Sequence, residues 1–410
     1  MPNADNWQGD VLRDLRSTAA PDATGPGGPA AAAPARAQPP VQPPVQPPAP
    51  AQPQAPQQPQ VPERPPAQGQ SPARIPARAP GVAAPAARTE PAHAPRASAA
   101  RPLPTPDSRA VVDKTLAAAA RRPQPGEPVT VRASRALRRI VSSSAAREVA
   151  ELTRTAEMLQ QPVTTGRQIA VTSIRGGAGK TTVAALLGTA YAHYRQDPVL
   201  LVEADPALGS LPLRLGAETL RWTTADLADI AQPQMSLLDI TGYLVQLPDN
   251  AWLLPGSQGR IGSMLDTSTY ERVMVALRRY FGVTVVDCET LPAEVARVAL
   301  SAAQARVLTA PATLDGVTST YAVLQWMQGL PRNVIDGTVV VLSSMTARPG
   351  IDVDTAAEKL GSTGARVHVL PYDRHLAAGG LLSTGLLARP TRLAATRLAA
   401  EVFQLSQKRR

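Results

Sequence analysis

Lys180, Thr181 and three glycines at positions 176, 177 and 179 share one short run, Gly176–Thr182, that reads GGAGKTT. Glycines let a backbone turn tightly and leave its N–H groups free to face an anion. Lys180 adds a point charge long enough to reach the β and γ phosphates of a nucleotide. The Thr181 hydroxyl suits Mg²⁺, a hard cation that prefers oxygen. Ala178 and Thr182 complete the loop. These residue types at this spacing are suited to cradling a nucleoside triphosphate with its cation.

Such a loop works only where a buried strand turns into a helix. The sequence around it, IAVTSIRGGAGKTTVAALL, supplies both. A strand is predicted over Gln168–Ser173 and a helix from near Lys180 to about Ala192, whose positive N-terminal end faces the loop. Further strands are predicted at Val199–Glu203, Trp252–Leu254, Val283–Asp287, Arg306–Ala310, Val339–Leu342 and Val367–Leu370. Helical patterns fall between them, near 223–231, 270–280, 293–303, 317–327 and 355–360, and a last one covers 391–404. Short apolar strands alternating with helices specify an α/β fold, a mostly parallel sheet flanked by helices.

Composition confines that fold to the second part of the chain. Of the 43 prolines, 30 lie in residues 1–128, and no aromatic residue occurs between Trp7 and Tyr191. Such a stretch cannot bury enough apolar surface to offset its ordering entropy. Residues 1–130 are expected to be a disordered Pro/Ala-rich tail. A short amphipathic motif at 5–16, with Trp7, Val11, Leu12 and Leu15 on one face, is a candidate for docking to a protein partner. Residues 131–165 read as a helical arm and 166–410 as the folded domain. Residues 1–164 carry 19 Lys+Arg against 12 Asp+Glu, so the basic excess belongs mainly to the tail and gives a nucleic-acid role for the domain little support. One cysteine, Cys288, excludes an intramolecular disulfide framework. No apolar run reaches the ~20 residues of a membrane span, and a cytoplasmic protein is expected.

The motifs resemble those of the MinD/ParA family of deviant P-loop ATPases, over residues 166–410. That resemblance implies binding of ATP and Mg²⁺, an ATP-dependent homodimer, and slow, partner-stimulated hydrolysis. The family places a lysine before the double glycine that reaches the partner's phosphates; this chain has Arg175 there. VLLVEADPALGSL is similar to the family's switch segment, with Asp205 at the water-orienting position and Glu203 replacing an aspartate near the metal. Asp287 matches the carboxylate that holds Mg²⁺ through water, followed atypically by Cys288 and Glu289. VLPYDRHL resembles the final strand and adenine loop, with Pro371 and Asp373 beside the base. A further likeness, carried by the Pro/Ala-rich tail with PVTTGRQIAV, RGGAGKTT and PYDRHL, is to MinD-like ATPases associated with actinobacterial type VII (ESX) secretion loci. It implies a tail-bound component of that machinery as partner and recruitment to the inner face of the membrane. The alternatives are a positioning ATPase that binds DNA as an ATP dimer, and a nucleotide-binding scaffold with little turnover.

Overall fold

The computed structural model describes residues 105–408 apart from 121, 129, 133–144, 208 and 261, and leaves out the side chains of 145–148. The expectations for residues 1–104, including the motif at 5–16, lie outside the described residues.

Eight strands form the central sheet: β2 (Arg167–Ser173), β3 (Val199–Ala204), β5 (Val245–Leu247), β6 (Ala251–Leu254), β7 (Val283–Cys288), β8 (Ala305–Pro311), β9 (Thr338–Ser343) and β10 (Arg366–Leu370). Their order is β10-β9-β8-β2-β7-β3-β6-β5. Every neighbouring pair is parallel except β5–β6, which closes one edge as an antiparallel hairpin. The seven predicted strands are all present. β5, three residues long, has one partner and a half-buried pattern, so it lacks the continuous apolar run that marks the inner strands.

Helices cover both faces. The helix after the glycine loop, Lys180–Tyr194, and the C-terminal helix, Arg389–Gln407, pack on one side, where Leu187, Tyr191, Leu398 and Phe403 join Ile169, Val171 and Leu201 of the sheet. Tyr191 is fully buried and its hydroxyl donates to the Ala399 carbonyl at 2.9 Å. The helices Thr224–Ile230, Thr267–Leu277 and Glu294–Ala302 cover the other face against Ala170, Leu200 and Val286. The helix Ala145–Leu159 packs beside the C-terminal helix. The Arg195 guanidinium caps it, donating to Leu159 O at 2.7 Å and Gln161 O at 3.0 Å.

Residues 105–128, placed in the disordered tail by composition, correct that boundary. They include β1 (Arg109–Ala110), paired antiparallel with β4 (Thr219–Leu220), and a helix over Lys114–Ala119. The order comes from backbone hydrogen bonds to the domain, not from a core of their own, and hydropathy does not register such bonds.

Because the strands are parallel, their carboxyl ends share one edge. The loops after β2, β3 and β7 therefore converge there, where β7 lies between β2 and β3.

Candidate functional site

The glycine loop leaves β2 after Ser173 and enters the helix at Lys180. Gly177 and Gly179 adopt φ of 72° and 86°, left-handed backbone that other residues take only with strain. Gly179 is the N-cap and no side chain caps the helix. Its first N–H groups are left for an outside acceptor, at the positive end of the helix dipole. A Cβ built on Gly176 or Gly177 would meet nothing within 4 Å, so the mouth of the loop is open. Gly176 is exposed, Ala178 is buried, and Lys180, Thr181 and Thr182 are half-buried on the first turn.

Lys180 Nζ donates to Thr290 Oγ1 at 2.9 Å, across to the loop that follows β7. That loop is tied to β2: Thr172 Oγ1 donates to Glu289 O at 2.7 Å and Leu291 N donates to Ser173 O at 2.9 Å. Asp287, one strand over, is 1% exposed, and neither carboxylate oxygen has a hydrogen-bond partner. Burial pushes its pKa up to about 7, against the pull of the Thr181 hydroxyl and the Lys180 charge. A buried carboxylate without a partner is costly unless a cation or donor arrives. Asp287 and the Thr181 hydroxyl together fit a hard divalent cation, with the remaining ligands coming from phosphate and water.

Glu203 and Asp287 are register partners on β3 and β7. Burial raises the Glu203 pKa to about 8, and the neighbouring Asp287 and Asp205 charges add to it. Glu203, expected near the metal, holds backbone with its oxygens, which accept the N–H groups of Leu211 and Gly256, each at 3.2 Å. It clips the segment after β3 to the loop after β6. Asp205 stands at the mouth of β3, partly exposed, and its charge acts on Glu203, Asp287 and Glu289 alike. Glu289 is half-buried and within electrostatic reach of Asp205 and Lys180, not turned wholly to solvent. The Cys288 thiol is fully buried and its pKa lies far above the ordinary value, which rules it out as a nucleophile.

Arg175 is exposed and its guanidinium donates to Ser319 Oγ at 3.0 and 3.1 Å, on the helix Leu314–Met327. Pro371 and Tyr372, half-buried, follow β10. Asp373 departs from the expectation of a base contact. Its carboxylate is 2% exposed and accepts from His375 N at 2.8 Å, Leu376 N at 3.3 Å and Ala388 N at 2.8 Å. It shapes the loop and has no free face for a ligand. Sequence reasoning missed Thr290 and Ser319, because their roles exist only as contacts across the fold.

This arrangement of open glycine loop, lysine, threonine and buried aspartate at the edge of a parallel sheet defines a P-loop nucleotide-binding domain. Residues 169–253 match the CobQ/CobB/MinD/ParA nucleotide binding domain. Over those residues the chain is similar to the MinD/ParA nucleotide-binding domain. It is 30% identical over 228 residues to the ESX-1 secretion-associated protein EspI of Mycobacterium tuberculosis, covering 54% of this chain and 34% of that protein. It is 36% identical over 124 residues to the septum site-determining protein MinD of Synechocystis, covering 30% of this chain and 44% of MinD. The chain therefore spans less than half the length of these relatives. The MinC:MinD cell division complex of Aquifex aeolicus superimposes with a TM-score of 0.45 at 19% identity, covering 58% of this chain and 96% of that one.

Proposed function

We propose that this protein is an ATP·Mg²⁺-dependent switch that dimerises on binding nucleotide and regulates or localises a membrane-bound machine, plausible partners being type VII secretion components. One observation carries the reading: the buried Asp287 carboxylate lies within reach of the Thr181 hydroxyl and the Lys180 charge, both on the first turn of an uncapped helix that follows an open glycine loop. The site has an anion seat and a cation seat side by side.

In this reading Lys180 leaves Thr290 for the β and γ phosphates, and the loop N–H groups bind their oxygens. Thr181 and Asp287 hold Mg²⁺, which supplies charge compensation. Asp205 orients a water whose oxygen bonds to the γ-phosphorus as the bond to the β–γ bridging oxygen breaks, giving ADP and phosphate, with the water's proton passing to the phosphate oxygens or solvent. Arg175 leaves Ser319 and crosses to the partner copy's phosphates. Turnover is slow until a protein partner completes the site. The name of the EspI relative supports the assignment to secretion, and the tail provides the attachment. Membrane recruitment runs through the partner; no helix among the described residues is long and apolar enough to cross a membrane. The DNA-binding alternative has less support from the C-terminal arginines, since Arg397 is bonded to Glu151 at 2.6 Å.

The test is single-turnover phosphate release alongside sedimentation with ATP and Mg²⁺. Asp205→Ala should keep ATP, lose release and accumulate as a dimer. A variant that turns over at the wild-type rate removes Asp205 from the mechanism. A wild-type chain that binds ATP but never releases phosphate, with or without partner, makes the protein a scaffold.

A further inference from the structure

The stretch that precedes the domain is fastened at two points, and both lie on segments connected to the site. At the first, Ala110 and Arg109 pair with Thr219 and Leu220, Val111 N donates to Glu218 O at 3.0 Å, and Gln258 Nε2 donates to Asp107 O at 3.0 Å. At the second, Gly126 N donates to Leu386 O at 2.7 Å, and Arg374 N donates to Gly126 O at 3.2 Å. Gly126 is buried, and a Cβ there would overlap the Asp373 carboxylate and the Ala388 amide. Between the two points the helix Lys114–Ala119 buries no residue.

The short helix Leu211–Leu215 lies between these two attachments and touches both systems. Leu211 N is held by Glu203, the register partner of Asp287. Arg214 Nη1 donates to Leu376 O at 3.1 Å, and Leu382 N donates to Arg214 O at 2.8 Å, which ties the helix to the loop that carries Asp373. Pro212 and Leu213 line a cavity of about 490 Å³ whose other walls include Arg109, Val111 and Glu203. The carboxylate beside the cation seat, the helix and both ends of the preceding stretch thus form one connected set of contacts.

We propose that residues 107–120 together with 122–126 are a strap that reads the occupancy of the nucleotide site, loosening when ATP and Mg²⁺ bind. The inference rests on the nucleotide-binding reading above. A cation arriving beside Asp287 attracts the neighbouring Glu203 and weakens its hold on the N–H groups of Leu211 and Gly256. The helix Leu211–Leu215 is then free to shift, and both attachments of the strap shift with it. The strap directly follows the proline-rich segment in the chain, so its release changes how that segment is presented to a partner. Linkage makes the effect reciprocal: if nucleotide loosens the strap, unseating the strap tightens nucleotide by the same factor.

The experiment is hydrogen exchange on the full chain, with and without Mg²⁺ and a slowly hydrolysed ATP analogue. The amides of Val111 and Gly126 should exchange about five-fold faster with nucleotide, while those of 180–183 become protected. Gly126→Val should unseat the strap without nucleotide and tighten the analogue about five-fold. Gln258→Ala, which removes the hydrogen bond to Asp107 O at the other end, should do the same more weakly. Protection at 180–183 with no change at Val111 and Gly126, or unchanged affinity in both variants, overturns the strap alone. No protection at 180–183 overturns the nucleotide reading and the strap with it.

Discussion

Glu203 and Asp287 face each other across neighbouring parallel strands, and both carboxyl groups are buried, at 3% and 1% exposure. Two acids this close and this dry cannot both ionise at low cost. One is held by backbone N–H groups, and the other has no partner. A cation bound beside the pair would lower the cost of ionising it.

The pH dependence follows from burial, which lifts the pKa of Asp287 to about 7 and that of Glu203 to about 8. Both values are well above the ~4 of an unfolded carboxyl. The folded state therefore binds more protons than the unfolded one between about pH 4 and 8, and stability falls as pH rises through that window. Without nucleotide or metal, calorimetry should show a clearly lower Tm at pH 8 than at pH 5.5. Asp287→Asn should flatten that slope. A Tm that rises over the same window in wild type would mean that the pair is not dry.

Arg175 is parked on Ser319 in the single chain. If it crosses to a partner copy, Arg175→Ala should bind ATP normally, fail to dimerise and lose hydrolysis by about 10³-fold or more. Arg175→Lys should keep the dimer. Sedimentation of both variants with a slowly hydrolysed analogue reads the outcome. Normal dimerisation of Arg175→Ala would leave the arginine with its local contact alone.

Asp373 holds three backbone N–H groups from two turns of the chain. Replacing it with alanine leaves those donors buried without acceptors, at about 1–3 kcal/mol each. Asp373→Ala should lower Tm by several degrees while discriminating ATP from GTP as wild type does. A stable variant with altered base preference would return Asp373 to the base.

The inner parallel strands were legible because they are buried on both faces and read as largely apolar runs, as in VLLVEA and VTVVDC. The glycine loop was legible because its chemistry is local. What was hidden depends on distant partners. Nothing in GVTVVDCETLPAE announces that Thr290 will hold Lys180. Nothing near Glu203 in the sequence shows that its oxygens will accept the N–H groups of Leu211 and Gly256. The strap at 107–126 looks like tail by composition, since its attachments are backbone hydrogen bonds to segments a hundred residues and more away.

The central claim is that the Gly176–Thr182 loop and Asp287 bind ATP with Mg²⁺. Isothermal titration of the full chain with ATP, with and without Mg²⁺, tests it most directly when paired with Lys180→Ala. Lys180 is the sole lysine of the loop, and charge-assisted bonds to phosphate in a partly desolvated site are strong. Wild type should bind ATP more tightly with Mg²⁺ than without, and Lys180→Ala should weaken binding by about 100-fold. Equal affinity in the two proteins, or no heat of binding in wild type with Mg²⁺ present, would contradict the account.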